Sequence, residues 1–348
     1  MIERYLVDLE RRIDPAAEEM LFEQWRAFAD GQFTGDLFSP RRAQRTPPTV
    51  EWPHVLVNDA LADSQAMALQ QLEPCSDALA EGSGALLAVR CNYGTAILPS
   101  LFGAELFLMD SELDTLPTCR PLDGGAEAIT ELLDRGVPDN NAGQGEMIFR
   151  MGQYYKELFR AYPKLSKYVH VYHPDLQGPM NVCEMLWGGS LYVDLYDRSD
   201  LIKDFLSLIT ETYIRFMRRW DEIVTPLDGC AMHWSMLHRG RIVLRDDAAT
   251  NLSPSMFDEF VRPYDQRLLD EFGGGGVHFC GRGDHFIPEV AEMSGVHAVN
   301  MTQPALNDLE TVFQNTIDRQ INLIGLERAA AEESIRQGRA LHGRVHCW

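Results

Sequence analysis

Two side chains in the stretch GGGGVHFCGRGDH (residues 273–285) are of the kind that hold a metal: His278 and Cys280. They stand two apart in a short apolar run, so in a strand they point to the same face. An imidazole and a thiol on one face are half of a zinc-type site. A zinc site that handles substrate uses three protein ligands and leaves a fourth position open. The third ligand then has to come from another strand end, and Cys347, closing the run GRVHC (343–347), is placed for it. The glycines of 273–276 let the chain enter the His278 strand without crowding, or end the helix before it.

Other apolar runs also finish in polar residues: Arg90 and Asn92, His173 and Asp175, His233, Asp246 and Asp247, Asn300 and Gln303. The elements that would carry them alternate. Strand patterns fall at 85–91, 104–109, 167–173, 227–234, 241–246, 276–280, 297–301, 321–326 and 343–347. Helical patterns fall at 199–220, 253–272 and 327–340, the second opening with Ser253 as N-cap and Pro254 at the first helical position. Strands alternating with helices imply a mainly parallel sheet. About eight of them favour an α/β fold of the (β/α)8 TIM barrel type, in which chemistry gathers at the C-terminal ends of the strands. Nine runs is one too many, and the turn-like HRGR before 241–246 marks that run as a hairpin annexe. Residues 1–80 read as a helical N-terminal extension packed on a barrel of residues 81–348, with Leu6, Leu9 and Ile13 on one helix face.

The chain has 348 residues and a net charge of −21. So acidic a surface argues against nucleic acid and against anionic membranes as partners. Within it, Arg41, Arg42 and Arg45 form a local basic cluster. No apolar run is long enough to span a bilayer. The charged, helical N-terminus does not read as an export signal, and seven scattered cysteines read as reduced thiols, so the expected compartment is the cytoplasm.

The segments LRDDAATNLSPSMFDEFVRPYDQRLLDEF (244–272), VHFCGRGDHFIPEV (277–290) and DLQGPMNVCEMLWGGS (175–190) resemble the uroporphyrinogen decarboxylase superfamily, over roughly residues 80–348. The resemblance implies a (β/α)8 barrel and one of two chemistries. One branch decarboxylates a tetrapyrrole without a cofactor, using an arginine-rich segment for substrate carboxylates and an aspartate after the first strand. Here RRAQR (41–45) lacks that segment's glycine, RCNYG (90–94) has no acid, and Glu184 falls near the position of a functional tyrosine. The other branch binds zinc through His-x-Cys and a distant Cys, and passes a methyl group from a methylated corrinoid to a thiol. His278, Cys280 and Cys347 match that pattern.

The leading expectation is therefore zinc-dependent methyl transfer, with the corrinoid carried by a partner protein. Asp246, Asp247 and Glu184 would orient ligands or take a proton. Arg90, Asn92, Tyr93, His173, Gln177, His233, Arg41 and Arg45 would contact the small-molecule substrate. The alternatives are a decarboxylase of a carboxylated tetrapyrrole or related substrate, with arginines on the carboxylates, and a non-catalytic barrel that binds a corrinoid or porphyrin. A two-fold homodimer is the default assembly.

Overall fold

The computed structural model describes residues 2–348. Its twelve strands are β1 (Leu37–Phe38), β2 (Ala88–Val89), β3 (Leu106–Phe107), β4 (Thr118–Cys119), β5 (His170–Val171), β6 (Cys230–His233), β7 (Met236–Arg239), β8 (Ile242–Arg245), β9 (Gly275–Phe279), β10 (Val296–Met301), β11 (Asn322–Leu323) and β12 (Val345–His346). Six of them form a parallel sheet in the order β1-β12-β11-β10-β9-β8, and β2 pairs with β5 in a second parallel sheet. Helices fill most of the connections, as parallel pairing requires. Among the described residues no ladder joins β1 to β2 or β5 to β8, so the observed architecture is α/β with parallel sheets rather than a continuously paired closed barrel. A single backbone bond, from Gly178 N–H to the Arg245 carbonyl at 2.9 Å, spans the second gap.

Three expectations change. The run 104–109 lies outside the parallel sheets, because β3 pairs antiparallel with β4. The hairpin annexe is β6–β7, and 241–246 instead supplies β8 of the main sheet. The reason is the turn Trp234-Ser235, where Trp234 takes φ +52° and lets β6 fold back on β7 before Gly240 (φ +79°) leads into β8. Finally, β1 arises within residues 1–80, which read as a helical extension. Its pairing with β12 builds a piece of the first 80 residues into the sheet.

The glycine run serves both ends of its connection. Gly273 is the left-handed cap of the helix Arg262–Phe272. Gly275 lies so close to β8 that a Cβ would stand 2.1 Å from the Ile242 carbonyl oxygen. The hairpin packs inside: Met232, Met236 and Leu237 share a buried cluster with Leu21, Trp25 and Phe28 of the helix Pro15–Ala29 and with Ala298 and Ile324. No helix among the described residues is long and apolar enough to cross a membrane. The seven cysteines are all free.

Candidate metal centre

At the end of β9, His278 and Cys280 face the same way, with Nε2 and Sγ 3.5 Å apart. Asp247, in the 3-10 turn that follows β8, completes a group whose ligand atoms all lie within 4.8 Å of one another. Its Oδ1 accepts the Cys280 backbone N–H at 2.6 Å, which fixes the carboxylate beside the thiol. Zinc bonds of about 2.0–2.3 Å at tetrahedral angles set donors about 3.3–3.8 Å apart. The His278–Cys280 pair already has that spacing, and a side-chain rotation of Asp247 would have to close the rest. Imidazole, thiolate and carboxylate are a zinc donor set, and three protein donors leave a position for substrate.

The residue that aims this group is Asn300, at the end of β10. Its Nδ2 donates to the Ile324 carbonyl at 2.7 Å, which turns Oδ1 toward His278 Nδ1 at 2.6 Å. His278 therefore carries its proton on Nδ1, and Nε2 presents a lone pair toward Cys280. This is the outer partner that metal-bound histidines characteristically have. The same Oδ1 takes His233 Nε2 at 3.2 Å. Trp234 stacks on His233 with ring centroids 4.3 Å apart and stands edge-on to His278 at 5.6 Å, while remaining 41% exposed. The hairpin thus supplies one wall of the site. Gly325, at φ +73°, is held to glycine because a Cβ there would meet Asn300 Nδ2 at 2.8 Å. Replacing Asn300 by alanine is expected to leave the fold intact and weaken metal binding about 10- to 100-fold. A competitive chelator titration of wild type against the variant measures it, and equal affinities would remove Asn300 from this role.

Burial raises the Cys280 thiol pKa, against a lowering hydrogen bond with Thr302 and with Asp247 adding to the rise. Burial lowers the His278 pKa, opposed first by its bond to Asn300. Without a cation the pair is a neutral thiol beside a neutral imidazole. A bound cation reverses the thiol's preference.

A second polar assembly lies at the ends of β2, β5 and β8. Asp175 accepts from Arg90 Nη1 at 2.7 Å through Oδ2 and faces Arg245 Nε at 2.7 Å through Oδ1. All three side chains are nearly inaccessible. Gln177 Nε2 also donates to Asp175 at 3.0 Å, Asn181 donates to Gln177, and the Ala248 N–H donates to Asn181 at 2.7 Å. This chain of bonds leads from Asp175 to the turn that holds Asp247. His173 is buried, with Nδ1 against the Pro174 carbonyl at 2.9 Å, and burial with the Arg245 charge lowers its pKa to about 3.

Of the three expected metal ligands one lies elsewhere, and other expected site residues stand apart from the donor group. Cys347 does not join the donor group. Its N–H bonds to the Phe38 carbonyl beside β12, and β10 and β11 stand between β12 and β9 in the sheet. Asp246 is turned from the metal group to Asp265 of the helix Arg262–Phe272, and Gly178 has no room for a Cβ because Asp246 Oδ1 would lie 2.2 Å away. Burial, with the neighbouring charge of Asp247, raises Asp246 to about 7 despite the bond from Asp265, and burial and Asp246 raise Asp265 well above the carboxylate range. A proton held between them is the arrangement two adjacent buried carboxyls require. Glu184 is bonded to Tyr192, which also takes Asn251, and not to the donor group.

Arg41 and Arg45 are exposed, and their loop is pinned well before the end of β2: Arg41 bridges Ser83, and the Arg42 N–H bonds to Gly82. Arg42 itself is buried in a pair with Glu18 at 2.6 Å. Asn92 and Tyr93 follow Arg90. Asn92 Oδ1 is buried without a partner, and burial raises the Tyr93 phenol to about 12. The sequence pattern marked Asn300 and Asp175 only as polar strand ends, and Trp234 and Arg245 not at all.

The chain matches no protein-family model and no curated protein sequence. Its structure is similar to that of a methyltransferase from Methanosarcina mazei, with a TM-score of 0.66 over 94% of this chain and 92% of that one, at 16% sequence identity. At that identity the likeness establishes a shared fold over nearly the whole length.

Proposed function

We propose that this protein is a zinc-dependent enzyme of the uroporphyrinogen decarboxylase superfamily that transfers a methyl group from a corrinoid to a thiol. The observation that carries this reading is the Asp247–His278–Cys280 donor group with Asn300 behind it. The sequence resemblance supports it, as does the methyltransferase among the structures of like fold. The two parallel sheets are then read as arcs of one (β/α)8 barrel with the donor group at its mouth.

His278, Cys280 and Asp247 would hold the metal. Zinc bound there supplies an electrophilic centre that keeps a thiol substrate deprotonated and nucleophilic. Asn300 holds the His278 tautomer, and Trp234 flanks the position where substrate sulfur would lie. In the overall reaction an S–CH3 bond forms and the cobalt–carbon bond breaks. The bonding pair stays on cobalt as Co(I), and the thiol proton leaves to solvent. The corrinoid would arrive on a separate protein, and the thiol is a small molecule. Reduced cysteines suit action in the cytoplasm.

The decarboxylase alternative needs free guanidinium groups for carboxylates. Arg90 and Arg245 are matched by Asp175, and Arg42 by Glu18. Zinc-loaded protein incubated with methylcobalamin and a panel of thiols is expected to produce Co(I) corrinoid and methyl thioether only when thiol is present, and Cys280→Ser should abolish both. No thiol-dependent demethylation by zinc-loaded wild type, with any thiol of the panel, would overturn the reading. Turnover of a carboxylated tetrapyrrole would favour the decarboxylase, and inactivity with both would favour a binding role.

A further inference from the structure

A cavity of about 380 Å3 opens at the N-terminal ends of β5 and β8, away from the strand ends that carry the donor group. Its rim includes the exposed Lys156 and Thr225, and its inner surface is made by the buried Trp220, Tyr172, His173 and Met232. It occupies the flank where β5 and β8 share no ladder. From this geometry we propose a second ligand site, for a small organic anion with an apolar or aromatic body and one carboxylate. The proposal does not depend on which reaction the metal group performs.

Three features point to that class. The volume lies in the range of small-molecule sites. The charge is inverted relative to the rest of the protein: Lys156, Arg160 and Arg241 line the cavity against the single carboxylate of Asp221, in a chain of net charge −21. Asp221 is engaged by Arg241, whereas Lys156 meets only the Ile223 carbonyl, at 2.7 Å, and so keeps its charge uncompensated by any carboxylate among the described residues. Lastly, polar atoms wait without partners: His173 Nε2 at the buried end, and Arg241 Nε nearer the rim. A buried ring nitrogen without a partner costs free energy unless something donates to it or accepts from it. Indole, phenol and thioether groups provide the apolar walls. A carboxylate at Lys156 would leave the ligand body against Trp220 and Met232, with a polar substituent able to reach His173.

The probe is 4-(trifluoromethyl)benzoate, followed by fluorine NMR on zinc-loaded protein. Saturable binding is expected, weakened at least about tenfold by Lys156→Met, as for loss of a charge-assisted bond. Ala231→Leu, which fills the cavity from β6 without altering its charge, should reduce binding similarly. Both variants should hold zinc as wild type does, showing that they are folded. The neutral amide, 4-(trifluoromethyl)benzamide, should bind at least about tenfold more weakly. Cys280→Ser should bind the benzoate unchanged, which separates this site from the metal group. Loss of binding in Cys280→Ser would place the probe at the metal group and overturn the proposal. Failure of the benzoate to saturate, or binding indifferent to both Lys156→Met and Ala231→Leu, would do the same.

Discussion

Protein loaded with zinc under reducing conditions is expected to carry one ion per chain, and Cys280→Ser to lose more than about 100-fold in affinity. That figure follows because removal of an outer partner alone costs about 10- to 100-fold, and a direct ligand costs more. Asp247→Ala should weaken binding in the same direction, whereas Cys347→Ser should leave it within a few-fold of wild type, since Cys347 stands outside the donor group. Folding should survive in each case, because the core does not depend on a metal. The pH dependence has a definite sign. Burial raises the Cys280 pKa, so near neutrality the free thiol keeps its proton and metal entry must release it. Affinity therefore rises with pH up to the free thiol's pKa and falls on acidification, more steeply once His278 also takes a proton. Elemental analysis and chelator competition between pH 6 and 9 measure this. A metal content near zero after loading, or one that survives Cys280→Ser intact, would remove the metal centre.

Removing Asp175 should produce the largest loss of stability of any single polar substitution at the site. Burial alone would raise its pKa, but the charges of Arg245 and Arg90 override it and hold the carboxyl below its ordinary value. Deleting the acid leaves two guanidinium groups buried together without a counter-charge, and breaking a buried pair in this way costs about 3–5 kcal/mol. Asp175→Ala is expected to lower Tm by several degrees or to prevent folding. Arg90→Met, which leaves one guanidinium still matched, should cost less. Because the folded pKa is lowered, this stabilisation is complete above the unfolded carboxyl's pKa near 3.9 and is lost as pH falls through the folded value. Denaturant titrations at pH 7 and at a series of pH values below about 3.9 would show the gap between wild type and variant narrowing in acid. A gap that widens in acid would contradict the assignment.

What could be read from the chain alone follows the physics of each signal. His278 and Cys280 were legible because a period of two places alternate residues on one face. Asp247 was legible as a strand-end acid but not as a metal donor, because it reaches the pair from a 3-10 turn whose path no periodicity describes. The alternation of strands and helices announced the parallel sheet. Which of two adjacent runs was the hairpin depended on Trp234 at positive φ, a conformation its residue type does not advertise. β1 has only two residues within a segment rich in glycine and proline, too short to show a period. The cluster Arg41–Arg45 stood out by charge, but charge does not report direction, and the partner that buries Arg42 lies on a helix 24 residues earlier.

The pairing of β1 with β12 also sets the order in which the molecule can be completed. Phe38 is synthesised long before His346, yet they are neighbours in one sheet. Until residue 346 has been made, the edge of β1 has no partner, and the aromatic cluster of Trp25, Phe28 and Phe38 lacks the imidazole it packs on. Pairings this distant in sequence are slow to form and leave apolar surface open meanwhile. By contrast, Asp247, His278 and Asn300 all come from one continuous stretch, so the metal group can assemble before the sheet acquires its last strand. Synthesis should therefore pass through a species in which the donor group is already assembled while the edge of β1 is still exposed to chaperones and to other nascent chains.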